Sequence, residues 1–401
     1  MILFLMFLAA LNFFNRFYIC VFAAVLFFCM SPNKKLRLNS SVLMLLILAM
    51  SVLIFNPISQ DAILDMIKPF SFMLCYVVGF SMFGTKADEA YDLRKEETRV
   101  TSVFYVWAGG AMLHFLLNMF TNWDSVKRSE MIDFWTKSEM AATGQATLAC
   151  LTIAVAVAFL FTTVTKWKKI VAIAALVVIF YYNLILAGRT LFVFLIIAAL
   201  AAITYSSIVD KKKISKILIV ILVLALLLIW LYNTDAFNIR TEFESSNFYM
   251  RFYGGEVTQE IDDDTRLAHK AAYLERFFDH PWGGNHIKAD YGHHAHDLYL
   301  DTYDESGIFA LIAVIAYIVV SISRAIRFIR NKKFTEQTRM LVFCTYLICN
   351  IQFWMEPIMS GIPWLFAAYC FIDGAVSYLL LKGENVRGAA VLRKETEYTD
   401  L

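Results

Sequence analysis

The stretch HHAHDLYLDTYDESG, residues 293–307, gathers three histidines and four acids and runs directly into the apolar sequence IFALIAVIAYIVV. Side chains of these types support four readings: a metal site, a pH sensor, a catalytic base, or a solvated helix cap. His294 and His296 with Asp297 or Asp301 carry donor atoms that zinc accepts. Yet no HExxH accompanies them, and the cysteines lie in or beside apolar segments. No metal site and no cofactor is therefore expected. Six of the seven histidines (His269, His280, His286, His293, His294 and His296) fall in one region, while His114 sits in an apolar run and reads as a satisfied core residue.

Cations form a second set. Arg189, in LILAGRTLFVFL, is held between two apolar runs by a turn of only Gly188, Arg189 and Thr190. An ionisable residue at that depth is a functional candidate, against the alternative of snorkelling to lipid headgroups. Arg266 opens a helical pattern with Lys270 and Tyr273 at i+4 and i+7, on the same face. A helix start with a guanidinium suits an anion; the competing reading is an ion pair with Asp262, Asp263 and Asp264. Lys68, in DMIKPF, is a further candidate or an interface anchor. Arg240, Arg251, Arg276 and Lys288 add positive charge nearby.

Which of these residues meet depends on the elements that carry them. The chain has 401 residues, 59% of them hydrophobic and only six prolines. Several continuous apolar runs reach about 18 residues, enough to cross a bilayer as a helix. They lack the period-two alternation of a β-barrel. The sequence predicts an all-α polytopic membrane protein with about 11–12 transmembrane helices. The first stretch, 2–30, reads as one bent helix or two short ones, interrupted by Asn12, Asn15 and Arg16. The remaining runs are 40–57, 64–83, 100–120, 143–165, 170–188, 190–209, 214–232, 306–323, 339–355 and 362–381. With no basic n-region, the first stretch is expected to be retained and not cleaved as a signal peptide.

Strict alternation of these runs puts most of the 36 Lys and Arg residues in loops on one side, among them Lys34, Arg94, Lys168, Lys212, Arg327 and Lys382. By the positive-inside rule that side is the cytoplasm. The opposite side then holds 58–63, 121–142, the turn at Arg189, the long stretch 233–305 and a short loop at Glu356. The organisation expected is helices in 1–232, a large extracytoplasmic loop over 233–305, helices in 306–382 and a cytoplasmic tail over 383–401. Within the loop, Leu267, Ala271, Leu274 and Phe278 recur at helical spacing, the Asp262–Asp264 run supplies the N-cap region, and Pro281-Trp282-Gly283-Gly284 stops the helix. The seven cysteines read as small packing residues. Nucleic-acid binding has no support, since the basic residues lie in short loops.

The string from His296 through Glu305-Ser306-Gly307 into an apolar helix resembles the signature of the O-antigen ligase and polysaccharide polymerase superfamily: a histidine, then E-x-G, then a membrane span. Upstream, Arg266 followed by a helix and HPWGG, and Gly188-Arg189 at the start of a span, resemble that family's other two motifs in order and spacing over about residues 180–323. Asp297 stands where the family has asparagine, and Gly188 where it has serine. The resemblance implies a GT-C-like, metal-independent, inverting glycosyltransferase in the bacterial cytoplasmic membrane. Its donor is a glycan on a polyprenyl diphosphate and its acceptor a hydroxyl of a glycan or lipid-linked molecule, with membrane lipids, a flippase and a chain-length regulator as partners. A repeat-unit polymerase for O-antigen or capsule is favoured over a ligase acting on a lipopolysaccharide core. A lipid-oligosaccharide transporter or a zinc-dependent membrane hydrolase is the alternative of another class. In that reading His296 is the base, Asp297 or Glu305 orients it, and Arg189 and Arg266 stabilise the leaving diphosphate. Lys68, Arg251, Lys270, Tyr273, Glu305 and Glu356 contact substrate.

Overall fold

The computed structural model describes residues 1–31, 36–55, 62–83, 92–123, 131–186, 189–209, 229–230, 232–235, 239–244, 249 and 265–399. For 62–66, 189–190, 192, 206–209, 239, 242, 265 and 385–399 it describes the backbone alone. The expected span 214–232, residue Arg251 and the Asp262–Asp264 run lie largely or wholly outside these residues.

The described chain is helical. Its helices are α1 (Ile2–Ala10), α2 (Phe17–Cys29), α3 (Ser40–Phe55), α4 (Ala62–Ser81), α5 (Leu93–Thr121), α6 (Ala142–Phe161), α7 (Lys166–Ile185), α8 (Arg189–Val209), α9 (Ile239–Glu244), α10 (Thr265–Glu275), α11 (His286–Tyr291), α12 (Leu298–Arg330), α13 (Glu336–Met355), α14 (Ile358–Gly361) and α15 (Pro363–Thr399). Five of them, α5, α6, α7, α12 and the Pro363–Glu384 part of α15, are long and apolar enough to cross a membrane. Shorter apolar helices cover Phe17–Cys29, Ser40–Phe55, Ile67–Ser81 and Val193–Tyr205. Helices suit this composition because each satisfies its own backbone groups where water is absent.

The apolar stretch 2–30 is two helices. Between them Asn12, Phe14 and Asn15 take positive φ of 49°, 51° and 56°, a region in which asparagine is at home. Asn12 Nδ2 donates to Asn15 Oδ1 at 2.9 Å. Trp135 covers the break: its Nε1 donates to the Leu11 carbonyl at 3.0 Å, and its ring lies 5.1 Å from that of Phe13.

Helix packing builds one core in which α4 lies along α15 and α3 along α12. The α4–α15 contact is backbone to backbone. A Cβ on Gly79 would fall 2.2 Å from the Phe371 carbonyl oxygen, and one on Gly374 would fall 2.3 Å from that of Tyr76. Small residues allow this approach where packing, not water exclusion, drives helix association.

Among the described residues, connections meet at two ends. At one end Thr335 N donates to the Glu97 carboxylate at 2.6 Å, Lys333 Nζ to the Gly383 carbonyl at 2.9 Å, and Arg327 pairs with Glu384. At the other end 11–16, 131–141, 265–297 and 356–362 come together. Several helices run past their apolar segments. α12 begins at Leu298, eight residues before the expected span, because Asp297 caps it by accepting from Leu300 N at 2.7 Å. Likewise α5 begins at Leu93, capped by Asp92, and α15 continues helical to Thr399, through most of the expected tail. All seven cysteines are free and all but Cys29 are buried.

Candidate active site

The acids of the 293–307 stretch hold backbone. Asp297, Asp301 and Asp304 stand at i, i+4 and i+7 on the first turns of α12, one face of a helix. Asp301 accepts from Ala295 N at 2.8 Å and from Asp297 N at 3.2 Å. Asp304 accepts from Ile287 N at 2.9 Å and Lys288 N at 3.0 Å. The loop 285–297 is thereby tied onto the start of α12. Glu305 and Gly307 make a second clasp. At Gly307, φ is +78° and the helix breaks; there Ile308 N donates to the Pro281 carbonyl at 2.9 Å and Gly284 N to that of Glu305 at 3.2 Å. A Cβ on Gly307 would sit 2.7 Å from the Trp282 carbonyl carbon, and one on Gly283 would sit 2.6 Å from Gly307 N. The two glycines are what let PWGG lie against the break.

α10 covers the site with its polar face, the one that carries Arg266, Lys270 and Tyr273. Leu267, Leu274 and Phe278 are 66%, 60% and 87% exposed, and the helix ends at Glu275, before Pro281. The inward face carries Arg266, His269, Lys270 and Tyr273. What α10 covers is polar, so its inward face follows hydrogen-bond partners and not hydrophobicity. Arg266 donates to the Met355 carbonyl and to Glu356 Oε1, each at 3.1 Å. Among the described residues its partners are thus the Met355 carbonyl and Glu356; the Asp262–Asp264 run lies outside them. Lys270 donates to the Trp354 carbonyl at 2.6 Å and lies 3.4 Å from Asp297 Oδ2. Tyr273 is buried, donates to the His293 carbonyl at 2.8 Å and lines a cavity; burial raises its phenol. Both expected contact residues are thus engaged in the fold of the site.

His296 occupies the left-handed region, φ 59°. It is half-buried, and its buried Nδ1 has no hydrogen-bond partner among the described residues. Its ring lies 5.7 Å from His269, which in turn lies 4.8 Å from His293. His294 Nδ1 is 3.6 Å from Asp301 Oδ1. Burial, followed by the positive charge of Arg266, lowers the His296 pKa from 6.5 to about 4, against an opposing pull from Asp301. The imidazole is thus held neutral at neutral pH. Burial raises the Glu356 carboxyl, against Arg266, and raises that of Asp297.

Three cavities adjoin. The first, about 450 Å³, is lined by Lys68, Tyr273, Lys288, His294, Asp301 and Glu305, among others. The second, about 350 Å³, is lined by His296 and Glu356 together with Asn12, His114, Asp133 and Glu139. The third, about 390 Å³, touches both, sharing Lys68 and Ser360 with the first and Asn12, Asn15, Thr136 and Gly361 with the second. Glu305 lines the first cavity, away from the one that His296 lines, and the carboxylate acting on His296 is Asp301, on the first turn of α12. The side chain of Arg189, at the first position of α8, and all of Arg251 lie outside the described residues. His114 is buried as expected, but only half satisfied: its Nε2 lies 2.9 Å from Asp133 Oδ2, whereas its buried Nδ1 has no hydrogen-bond partner among the described residues. Burial would raise Asp133, but hydrogen bonds from His114 and the amides of Thr136 and Trp135 outweigh it and bring the carboxyl down to about 2.

Sequence reasoning missed Asn12, Asn15, Arg16 and Asp133 as parts of this site, and weighed Asp301 only as a metal donor. The polar interruption of the first apolar stretch was the one visible signal for the first three. Among the described residues no three His, Cys, Asp or Glu side chains cluster so as to hold a metal ion. Compared with known proteins, the chain matches no family model and no curated protein.

Proposed function

We propose that this chain is a multi-pass bacterial cytoplasmic-membrane glycosyltransferase. In this reading it moves a glycan from a polyprenyl diphosphate to an acceptor hydroxyl on the outer face, as a polysaccharide repeat-unit polymerase. The observation that carries the reading is His296: a neutral, half-buried imidazole with an unpartnered Nδ1, lining a polar cavity beside the Arg266–Glu356 pair. The acceptor oxygen attacks the anomeric carbon, the bond to the diphosphate breaks with its electron pair going to the phosphate oxygen, and the hydroxyl proton goes to His296. The attack inverts the anomeric centre. Cations at the site stabilise the leaving diphosphate; Arg189 and Lys68 stand for that role, and Arg266 keeps the site's charge balance through Glu356. The test is the purified protein in liposomes with lipid-diphosphate-linked repeat units. Longer lipid-linked glycan supports a polymerase, transfer to a lipid A-core acceptor indicates a ligase, and no product from either donor–acceptor pair overturns the reading.

The lowered His296 pKa sets a pH expectation. Protonation removes the base, so kcat/KM should fall on the acid side near pH 4–5 and stay flat from about 5.5 to 7.5. In the unfolded chain the imidazole takes its proton near 6.5. The His296 contribution to stability is therefore complete above 6.5 and declines as pH falls toward 4. An acid limb centred between 6 and 7 in the pH–rate profile would contradict a base held this low.

Sidedness is part of the same reading, with about 11–12 spans and the 265–306 end outside. A cysteine at Lys288 should react with an impermeant thiol reagent in intact cells, and one at Lys332 should be protected. The reverse pattern would place the site in the cytoplasm, away from any translocated lipid-linked glycan.

A further inference from the structure

A groove of about 330 Å³ runs between α5, α6 and α7, away from the candidate active site. Small residues hollow it out: Gly109 on α5, Ala156 on α6, and Ala172 and Ala175 on α7. From Tyr105 to Met112 its α5 wall is about 10 Å long, at about 1.5 Å of rise per residue. Helix α7 forms the opposite wall and is the least buried of the five long apolar helices: 22% of its apolar stretch lies inside the bundle, against 50% or more for the others. The groove therefore opens on the apolar face that α7 turns outward, the surface that acyl chains cover in a helix crossing a membrane.

Among the described residues lining this groove one is charged, Lys168, on the first turn of α7. Its Nζ lies 5.2 Å from the centre of the Tyr105 ring and 5.5 Å from that of Phe159. The two ring faces attract the ammonium and fix it at the end of the groove. They do not cancel its charge, and its N–H groups are suited to oxygen acceptors. No carboxylate among the described residues pairs with it. Lys166 and Lys169 stand on the same turn and add to the positive field there. A free phosphate would use the ammonium and leave the groove empty. An uncharged lipid would use the groove and not the ammonium. A lipid with an anionic head and acyl chains uses both.

We propose that the groove between α5, α6 and α7 binds an anionic phospholipid, with an acyl chain along Gly109 and Ala175 and the phosphate at Lys168. Helix α7 packs mainly on α6, so a chain lying in the groove ties it to α5 as well. The site is independent of the reaction proposed above, and no step of that reaction passes through it.

The test offers the full chain in detergent equal amounts of dioleoyl phosphatidylglycerol and dioleoyl phosphatidylcholine and counts bound lipid by native mass spectrometry. Phosphatidylglycerol should be retained with a preference of about fivefold, the usual contribution of one basic residue near an anionic headgroup. K168Q should remove that preference and K168R should keep most of it. K166Q removes an exposed charge that does not line the groove, and should leave most of the preference. Equal losses in K166Q and K168Q would show a diffuse attraction and overturn the site. G109L should lower binding of both lipids. Gly109 is exposed, and a Cβ there would meet only Phe7 Cε2, at 3.6 Å, so the larger side chain fills the groove without a backbone clash. If G109L does not fold, A175L takes its place. Excess glycerol phosphate should not displace the lipid; displacement would identify a phosphate site without a part for the groove and overturn the docking. In membranes, Val171→p-benzoylphenylalanine places a photocrosslinker on the α7 wall. Phosphatidylglycerol should be its product. Crosslinking to another segment of the chain or to a second copy would show that protein covers the groove, and would overturn the proposal.

Discussion

Replacement of His296 by alanine is expected to lower glycan transfer by about 10²–10⁴-fold, the usual contribution of a positioned general base. The expectation follows from what surrounds the ring. His296 lines the cavity between α5, α6 and the α13–α14 turn, its Nδ1 is unpartnered, and burial with Arg266 keeps it neutral. The neighbouring imidazoles are placed differently. His293 is exposed and stacks on His269 at 4.8 Å, and His294 lies beside Asp301 and lines the other cavity. His293→Ala and His294→Ala should therefore cost far less. Because His296 sits at φ 59°, a second variant is informative. His296→Asn accepts the left-handed backbone but is no base at neutral pH, so it should be as inactive as alanine while folding like the unmodified chain. Transfer would be measured at matched membrane abundance. Near-normal activity in both variants, with His294→Ala inactive, would move the base to the first cavity; tolerance at all three histidines would leave Glu356 and Glu305 as the groups to examine.

Breaking the Arg324–Asp373 pair should produce the largest loss of stability, about 3–5 kcal/mol for removal of one partner of a buried ion pair. Asp373 is fully buried on α15 and pairs with Arg324 Nη2 on α12. The same guanidinium donates through Nη1 to Ser41 Oγ on α3 at 2.6 Å and to the Tyr76 hydroxyl on α4 at 3.2 Å. Tyr346 on α13 donates to the other Asp373 oxygen at 2.7 Å. One ion pair therefore ties five helices together, and either single change, Arg324→Leu or Asp373→Leu, strands a charge with hydroxyls turned toward it. The double change removes both charges and should be less damaging than either alone. Thermal unfolding of the purified variants, followed by size-exclusion fluorescence, measures this. Single variants within about 0.5 kcal/mol of the unmodified chain, the range of inert surface changes, would show that the pair carries no stability.

The sequence by itself determined where helices form, because that information is local. Uninterrupted apolar runs demand intrahelical hydrogen bonding, and Asp92, Asp297 and Thr335 begin α5, α12 and α13 as caps that need only their own next turn. Tertiary structure alone decided which polar groups meet. Periodicity put Arg266, Lys270 and Tyr273 on one face of α10 but not which of its two faces turns inward; packing decided that the polar stripe covers the site. Arg266 finds Glu356 across 90 positions, a pairing no spacing encodes. Asn12, Arg16 and Asp133 enter the site because the α1–α2 and α5–α6 breaks fall at the same end as the α13–α14 turn. The state of His296 was beyond sequence for the same reason: a pKa near 6.5 belongs to the residue, but one near 4 belongs to the burial and the guanidinium that packing places beside it.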